Sequence, residues 1–325
     1  MTYQRLPSTK ANFPSQGHNV CSPAWLTALV LLGVSLTLRA TAAGEQTFNS
    51  PAAAVSALVA AATSHDTNTL RSIFGPQGHE LISPDEVEAT NESAAFLDRL
   101  TQRTWLVTNS ENNLTLDIGA DRWPCAIPLV QQSGRWFFDT AAGAQEILAR
   151  RVGMDEIGAI NVCQAYVAAQ REYASQDQLG DGVLAYAQFL DSSPGLHDGL
   201  YWRAKTNEDL SPLGPLIAQA RVDGYRHTAR ALNDEQAPYH GYYFKILTRQ
   251  GKHAPGGRYN YLINGRMLAG FALVAWPAEW GNTGVMTFIV NQQGRILQKN
   301  LGPKTLKIAR SMTTYDPNET WQPAE

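Results

Sequence analysis

The sequence predicts an α+β protein built as two domains, and three observations carry that expectation. Apolar residues recur at helical spacing from Ser50 to about Gln102. The period then switches to two near Trp105, giving short strands in sequence order. A second succession of long helix and then strands starts near Asp155. Helices followed by an antiparallel meander, then a long helix packed on an antiparallel sheet, are α+β layer patterns.

Each element has a local reason. Ser50 can cap a helix, Pro51 suits its first position, and Val55, Leu58, Val59 and Ala62 share one face. Asp66 opens a second helix through Leu70, Ile73 and Phe74, which Gly75-Pro76 closes. A third is expected from Asn91 to Gln102. Strands follow at Trp105–Val107, Leu114–Ile118, Ala126–Val130 and Trp136–Asp139, where Pro128 implies an edge or a bulge. A short helix at the joint, residues 143–155, carries Ile147, Leu148 and Val152 and makes the connection rigid. The long helix is expected from Asp155 to about Ser175, with Ile157, Ile160, Val167 and Ala168 as its apolar face. Residues 176–238 are loop-rich around one helix, Leu213–Asp223. Strands then follow at Tyr242–Leu247, Tyr259–Ile263, Phe271–Trp276, Gly284–Val290 and Arg295–Asn300, the last two joined by a turn at Asn291–Gly294.

The N-terminus reads as a secretory signal peptide over residues 1–43. A polar leader with Arg5, Lys10 and His18 precedes the uncharged run Trp25–Leu38, and Ala40-Thr41-Ala42-Ala43 offers the small residues of a cleavage site. The run is shorter than the roughly 20 residues a spanning helix needs, although retention as an anchor is the alternative. Cys21 precedes the run and so is not a lipoprotein cysteine. Periplasmic or secreted location is therefore expected, with no membrane attachment after cleavage. The chain of 325 residues has a formal net charge of −3; removing residues 1–43 takes away two Arg, one Lys and no acid, leaving −6. That mild acidity argues against DNA, RNA or anionic lipid as partners. The mature chain keeps Cys125 and Cys163, either bridged or buried as thiols.

Residues from about 46 to 323 resemble a bacterial family known as domain of unknown function 2950. The motifs are Pro124–Val130 before Gly134-Arg135-Trp136-Phe137-Phe138-Asp139, then Cys163–Tyr173, Asp198-Gly199-Leu200-Tyr201-Trp202 and Ser211–Leu216. Tyr239–Phe244, Asn264-Gly265-Arg266-Met267, residues 270–279 and Gly284–Asn291 complete them. The resemblance implies an exported bacterial protein and no particular activity. At the level of element order, residues 44–150 are similar to NTF2-like or cystatin-like domains, which curl a sheet around helices and leave a cavity. Residues 151–325 are similar to the globular heads of pilins and pseudopilins, without the membrane helix that a pilin carries.

Few constellations could carry chemistry. Asp177-Gln178-Leu179-Gly180-Asp181-Gly182 is similar to the start of an EF-hand loop, but Leu179, Ala185 and Gln188 stand where oxygen ligands belong. No histidines pair at metal spacing, and no nucleophile elbow, zincin motif or dinucleotide fingerprint is present. Neither a metal, a cofactor nor a catalytic residue is therefore expected. The aromatic strand region offers a binding surface instead, with Tyr239, His240, Tyr242, Arg258, Arg266 and Trp280 as candidates. Alternation along strands would bury part of such a set. The expectation is a non-enzymatic envelope protein that binds a partner protein or a surface polymer. An enzyme or small-ligand binder using a cavity in the first domain is the alternative, and a calcium-tuned pseudopilin-like component a third.

Overall fold

Ser50 begins the fold by doing what its hydroxyl is suited to do. Its Oγ accepts from the Ala53 amide, and Pro51 opens helix α1, Pro51–Thr63. The computed structural model describes residues 44–204, 206, 209–225 and 238–324, so the expected signal peptide lies outside the described residues. Asp66 caps α2, Thr67–Phe74, through the amides of Asn68 and Thr69, and Gly75 ends it at φ 66°. A 3-10 turn over Pro76–Leu81 leads to α3, Glu86–Gln102. This helix starts earlier than expected, because Asp85 caps it by accepting from Val87 and Glu88. Asp85 followed by Glu88 is a capping-box spacing.

The first sheet holds β1 (Thr104–Ser110), β2 (Asn113–Ile118), β3 (Trp123–Pro124), β4 (Leu129–Gln132) and β5 (Arg135–Phe138), in the order β1-β2-β4-β5 with β3 on β2. Pro128 stands just ahead of β4, whose strand begins one residue later than the proline that cannot donate. Leu58, Ile73, Leu100, Leu116, Ile118, Leu129 and Phe138 are buried together between this sheet and α1–α3.

The connection is not a separate short helix. Asp139 caps α4, which runs unbroken from Thr140 to Tyr173, 34 residues and roughly 50 Å, straight through the expected boundary at residues 150/151. Gly143, Gly153 and Gly158 all lie within this helix, although each costs about 1 kcal/mol against Ala. At Gly143 the reason for glycine is contact: a Cβ there would lie 2.5 Å from Ile127.

Beyond α4 come β6 (Phe189–Asp191) and β7 (Gly199–Tyr201), a parallel pair, and α5 (Gly214–Val222). Strand β8 is Tyr242–Leu247, β9 Arg249–Gln250 and β10 Tyr259–Asn260; β11 is Leu262–Ile263 and β12 Arg266–Met267. Strand β13 is Ala272–Pro277, β14 Met286–Asn291 and β15 Leu297–Asn300, followed by α6 (Thr305–Ser311), β16 (Thr314–Tyr315) and β17 (Gln322–Pro323). The main sheet is antiparallel in the order β17-β15-β14-β13-β8. The expected single strand from Tyr259 to Ile263 is two. Tyr261 turns inward to donate to Gln250 Oε1 at 3.1 Å, so the strand breaks between β10, which pairs with β9, and β11, which pairs with β12.

The second core lies between this sheet and the C-terminal part of α4, where Cys163, Tyr166 and Val167 meet Phe271–Trp276 and Phe288. Every residue of β13 is buried, as a central strand covered on both faces requires. Two cores thus share one helix, and the described residues fall in one compact unit. No helix among the described residues is long and apolar enough to cross a membrane.

Candidate functional site

The predicted binding residues do not form one surface. Tyr239, His240, Gly241 and Tyr242 make a tight turn in which the amides of Tyr239 and Tyr242 each donate to the other's carbonyl. His240 at φ 45° and Gly241 at φ 65° give it the left-handed pair of a type I′ turn. That geometry sends Tyr242 inward, against Phe288 at 5.9 Å, with its hydroxyl donating to the Met286 carbonyl. Tyr242 is fully buried and Tyr239 5% exposed, so both are core residues and cannot serve the exposed surface expected of them. Arg258 and Trp280 are exposed, the latter with its indole N–H donating to Asn300 Oδ1. Arg266 is half-buried and forms an ion pair with Asp181.

His240 instead enters a polar junction between the two cores. Its Nδ1 lies 3.2 Å from Glu88 Oε1, and its Nε2 lies 3.8 Å from Asp223 Oδ2. Its ring packs against Tyr225 and Tyr239. Tyr225 donates to Asp85 Oδ2 at 2.8 Å, and Asn91 Nδ2 donates to the Asp223 carbonyl. From α4, Arg151 donates to Asn282 Oδ1 and to the Leu81 carbonyl, while Asp155 sits between Glu88 and the Gly241 backbone. A Cβ at Gly241 would lie 2.6 Å from Asp155 Oδ2. Arg151 and Asp155 are 2% and 3% exposed. Burial, and then the charge of Glu88, push the Asp155 carboxyl well above the usual carboxylate range; burial raises Glu92 as well. Asp85, Glu88, Arg151, Asp155 and Tyr225 were missed from sequence. The capping spacing of Asp85 and Glu88 was the one readable signal.

A second feature is apolar and exposed. In the loop at Asp177, the carboxylate accepts from the amides of Gly180, Asp181 and Gly182, and Asp181 accepts from Val183. The aspartates thus build the turn itself. Gln188, which stands at the last ligand position of an EF-hand, donates to the Gly265 carbonyl, and Tyr186 bridges Met267. These contacts lay the segment 179–189 beside the β11–β12 hairpin, turned at Asn264-Gly265. Leu184 (59% exposed), Phe189 (49%) and Ile263 (46%) project from it, with Leu179, Val183 and Leu268 also exposed. No sequence periodicity marks this surface, because it joins a loop to a hairpin nearly 80 residues away.

Among the described residues the two cysteines, Cys125 in the first core and Cys163 in the second, are buried free thiols. Burial pushes the Cys163 thiol up to about 12, which disfavours the nucleophilic thiolate. Among the described residues no group of three or more His, Cys, Asp or Glu is placed to hold a metal.

Comparison with known proteins gives one assignment. The family model described as "Protein of unknown function (DUF2950)" matches residues 45–324. No curated protein and no solved structure matches the chain.

Proposed function

The chain belongs to the DUF2950 family, and on that premise we propose that it is an exported, non-enzymatic binding protein of the bacterial envelope. Its partner is a protein, captured on the apolar surface formed by residues 179–189 and the β11–β12 hairpin. The observation that carries this reading is the grouping of Leu184, Phe189 and Ile263, all exposed, on segments tied together by backbone and side-chain hydrogen bonds. Scattered exposed apolar residues need no explanation, but a set gathered on two segments that hydrogen-bond to each other fits a docking surface. Arg266 and Asp181 at its edge supply the polar rim such surfaces carry. In the first domain the buried side chains between the sheet and the helices, from Leu58 to Phe138, form an apolar core, which accords with a structural role for that layer. Export follows from the basic leader, apolar run and small-residue site of residues 1–43.

The test is a cross-linking pull-down from periplasm with the mature chain and its Leu184→Asp/Ile263→Asp variant. Both positions are exposed, so the melting temperature should stay within a few degrees of the parent. Loss of a specific cross-linked protein in the variant is the expected result. Equal capture by parent and variant would overturn the assignment. Capture of isolated surface polymer by both chains would replace the protein partner with a polymer.

A further inference from the structure

The net charge of the mature chain averages two parts of opposite sign. Residues 44–240 hold 13 Lys and Arg against 25 Asp and Glu, whereas residues 241–325 hold 10 against 4. The asymmetry is sharpest between Trp280 and Tyr315, a stretch with Arg295, Lys299, Lys304, Lys307 and Arg310 and no acid. Helix α6 lies in that stretch. It is attached to the sheet through Thr305 and Ala309, which are buried, and Lys245 Nζ donates to the Ala309 and Arg310 carbonyls at its end. Its remaining residues face outward. Lys304 just before it, then Lys307 and Arg310, are exposed, and between them Leu306 (40%) and Ile308 (39%) are exposed too. An open depression of about 370 Å³ is lined by Leu306, Lys307, Arg310 and Ser311.

We propose that this face of α6, Lys304 to Ser311, rests on an anionic phospholipid surface, so that the protein associates peripherally and reversibly with a membrane through its basic end. Charge complementarity selects an anionic partner. Leu306 and Ile308, one on each flank of the basic ridge, select lipid over a soluble polyanion, because they gain from burial at the acyl boundary and gain nothing against a sugar or phosphate chain. The acidic remainder of the molecule is repelled by the same surface, which orients the chain with α6 toward the membrane and leaves the apolar surface at residues 179–189 a separate site. The whole-chain charge argued against anionic lipid only because it sums the two parts.

The experiment is co-sedimentation of the mature chain, residues 44–325, with vesicles of phosphatidylcholine alone and of phosphatidylcholine with phosphatidylglycerol, at low and at physiological salt. Binding confined to the anionic vesicles and weakened by salt is expected. Each cation contributes a roughly fivefold preference near such a surface, so the Lys304→Gln/Lys307→Gln/Arg310→Gln variant should lose on the order of a hundredfold in partitioning. Leu306→Ser/Ile308→Ser should also lose partitioning while leaving retention on immobilised heparin unchanged. Unaltered melting temperatures show that each variant is folded, as the exposure of all five side chains predicts. Equal binding to both vesicle types, absence of binding, or an unaffected charge variant would overturn the proposal. Heparin retention together with full vesicle binding by the aliphatic variant would assign the face to a polyanion instead.

Discussion

Asp155 is the residue at which folding and protonation are most tightly joined. It lies inside α4 at 3% exposure, facing Glu88 and Glu92 from α3, Arg151 one turn back on its own helix, and the Gly241 backbone, with His240 held against Glu88. Arg151 draws its pKa down, but burial and Glu88 outweigh it and raise it. A raised carboxyl binds its proton more tightly folded than unfolded. Its contribution is therefore complete below the unfolded value, near pH 4, and is lost as pH rises through the folded value. Asp155→Asn keeps a neutral group of the same size and removes the titration. Chemical denaturation between pH 5 and pH 8 should show the parent losing stability across that interval and the variant losing about 1–2 kcal/mol less. Identical slopes for the two chains would mean that Asp155 is ionised in the fold.

At the scale of the element, α4 contrasts two glycines of the same helix. Gly143 meets Ile127 side chain and backbone, so Gly143→Ala forces a shift in the first core and should cost about 1–3 kcal/mol. Gly153 has open space where its Cβ would stand, so Gly153→Ala should stabilise by about 0.5–1 kcal/mol through helix propensity. Urea melts of the two variants read both signs, and a stabilised Gly143→Ala would show that the Ile127 contact yields freely. Caps at Ser50 and Asp66 and the period-two strand around Leu116 could be read because local chemistry decides them. The continuity of α4 could not, because packing on both cores, through Ile147 and through Val162, holds it as one helix. The α+β class was therefore readable, whereas the candidate surfaces were not. Tyr242 was read as exposed because its hydroxyl partner, the Met286 carbonyl, is 44 residues away. The segments that carry Leu184 and Ile263 are joined by the Gln188–Gly265 and Tyr186–Met267 hydrogen bonds, which no local pattern announces.

For the whole molecule, the consequence of α4 is mechanical coupling of two cores. Its N-terminal part, through Ile147, packs on the first core, and Val162 to Tyr173 belong to the second. Across the same junction run Tyr225–Asp85, His240–Glu88 and Arg151–Asn282. Unfolding either core would strand the buried Arg151 without either the Leu81 carbonyl or the Asn282 side chain that accepts from it. The two cores should therefore melt together. Met154 offers a way to cut the coupling without touching either core, since it lies between them on α4 and is 60% exposed. Proline there removes a helical hydrogen bond and clashes with the preceding turn, a cost of about 3 kcal/mol placed on the connector itself. Scanning calorimetry of the parent should show one transition with equal calorimetric and van't Hoff enthalpies, whereas Met154→Pro should show two, the first core separating from the second. Two transitions in the parent would make α4 a linker between independent domains, and one transition in Met154→Pro would place the coupling in the side-chain junction rather than in the helix.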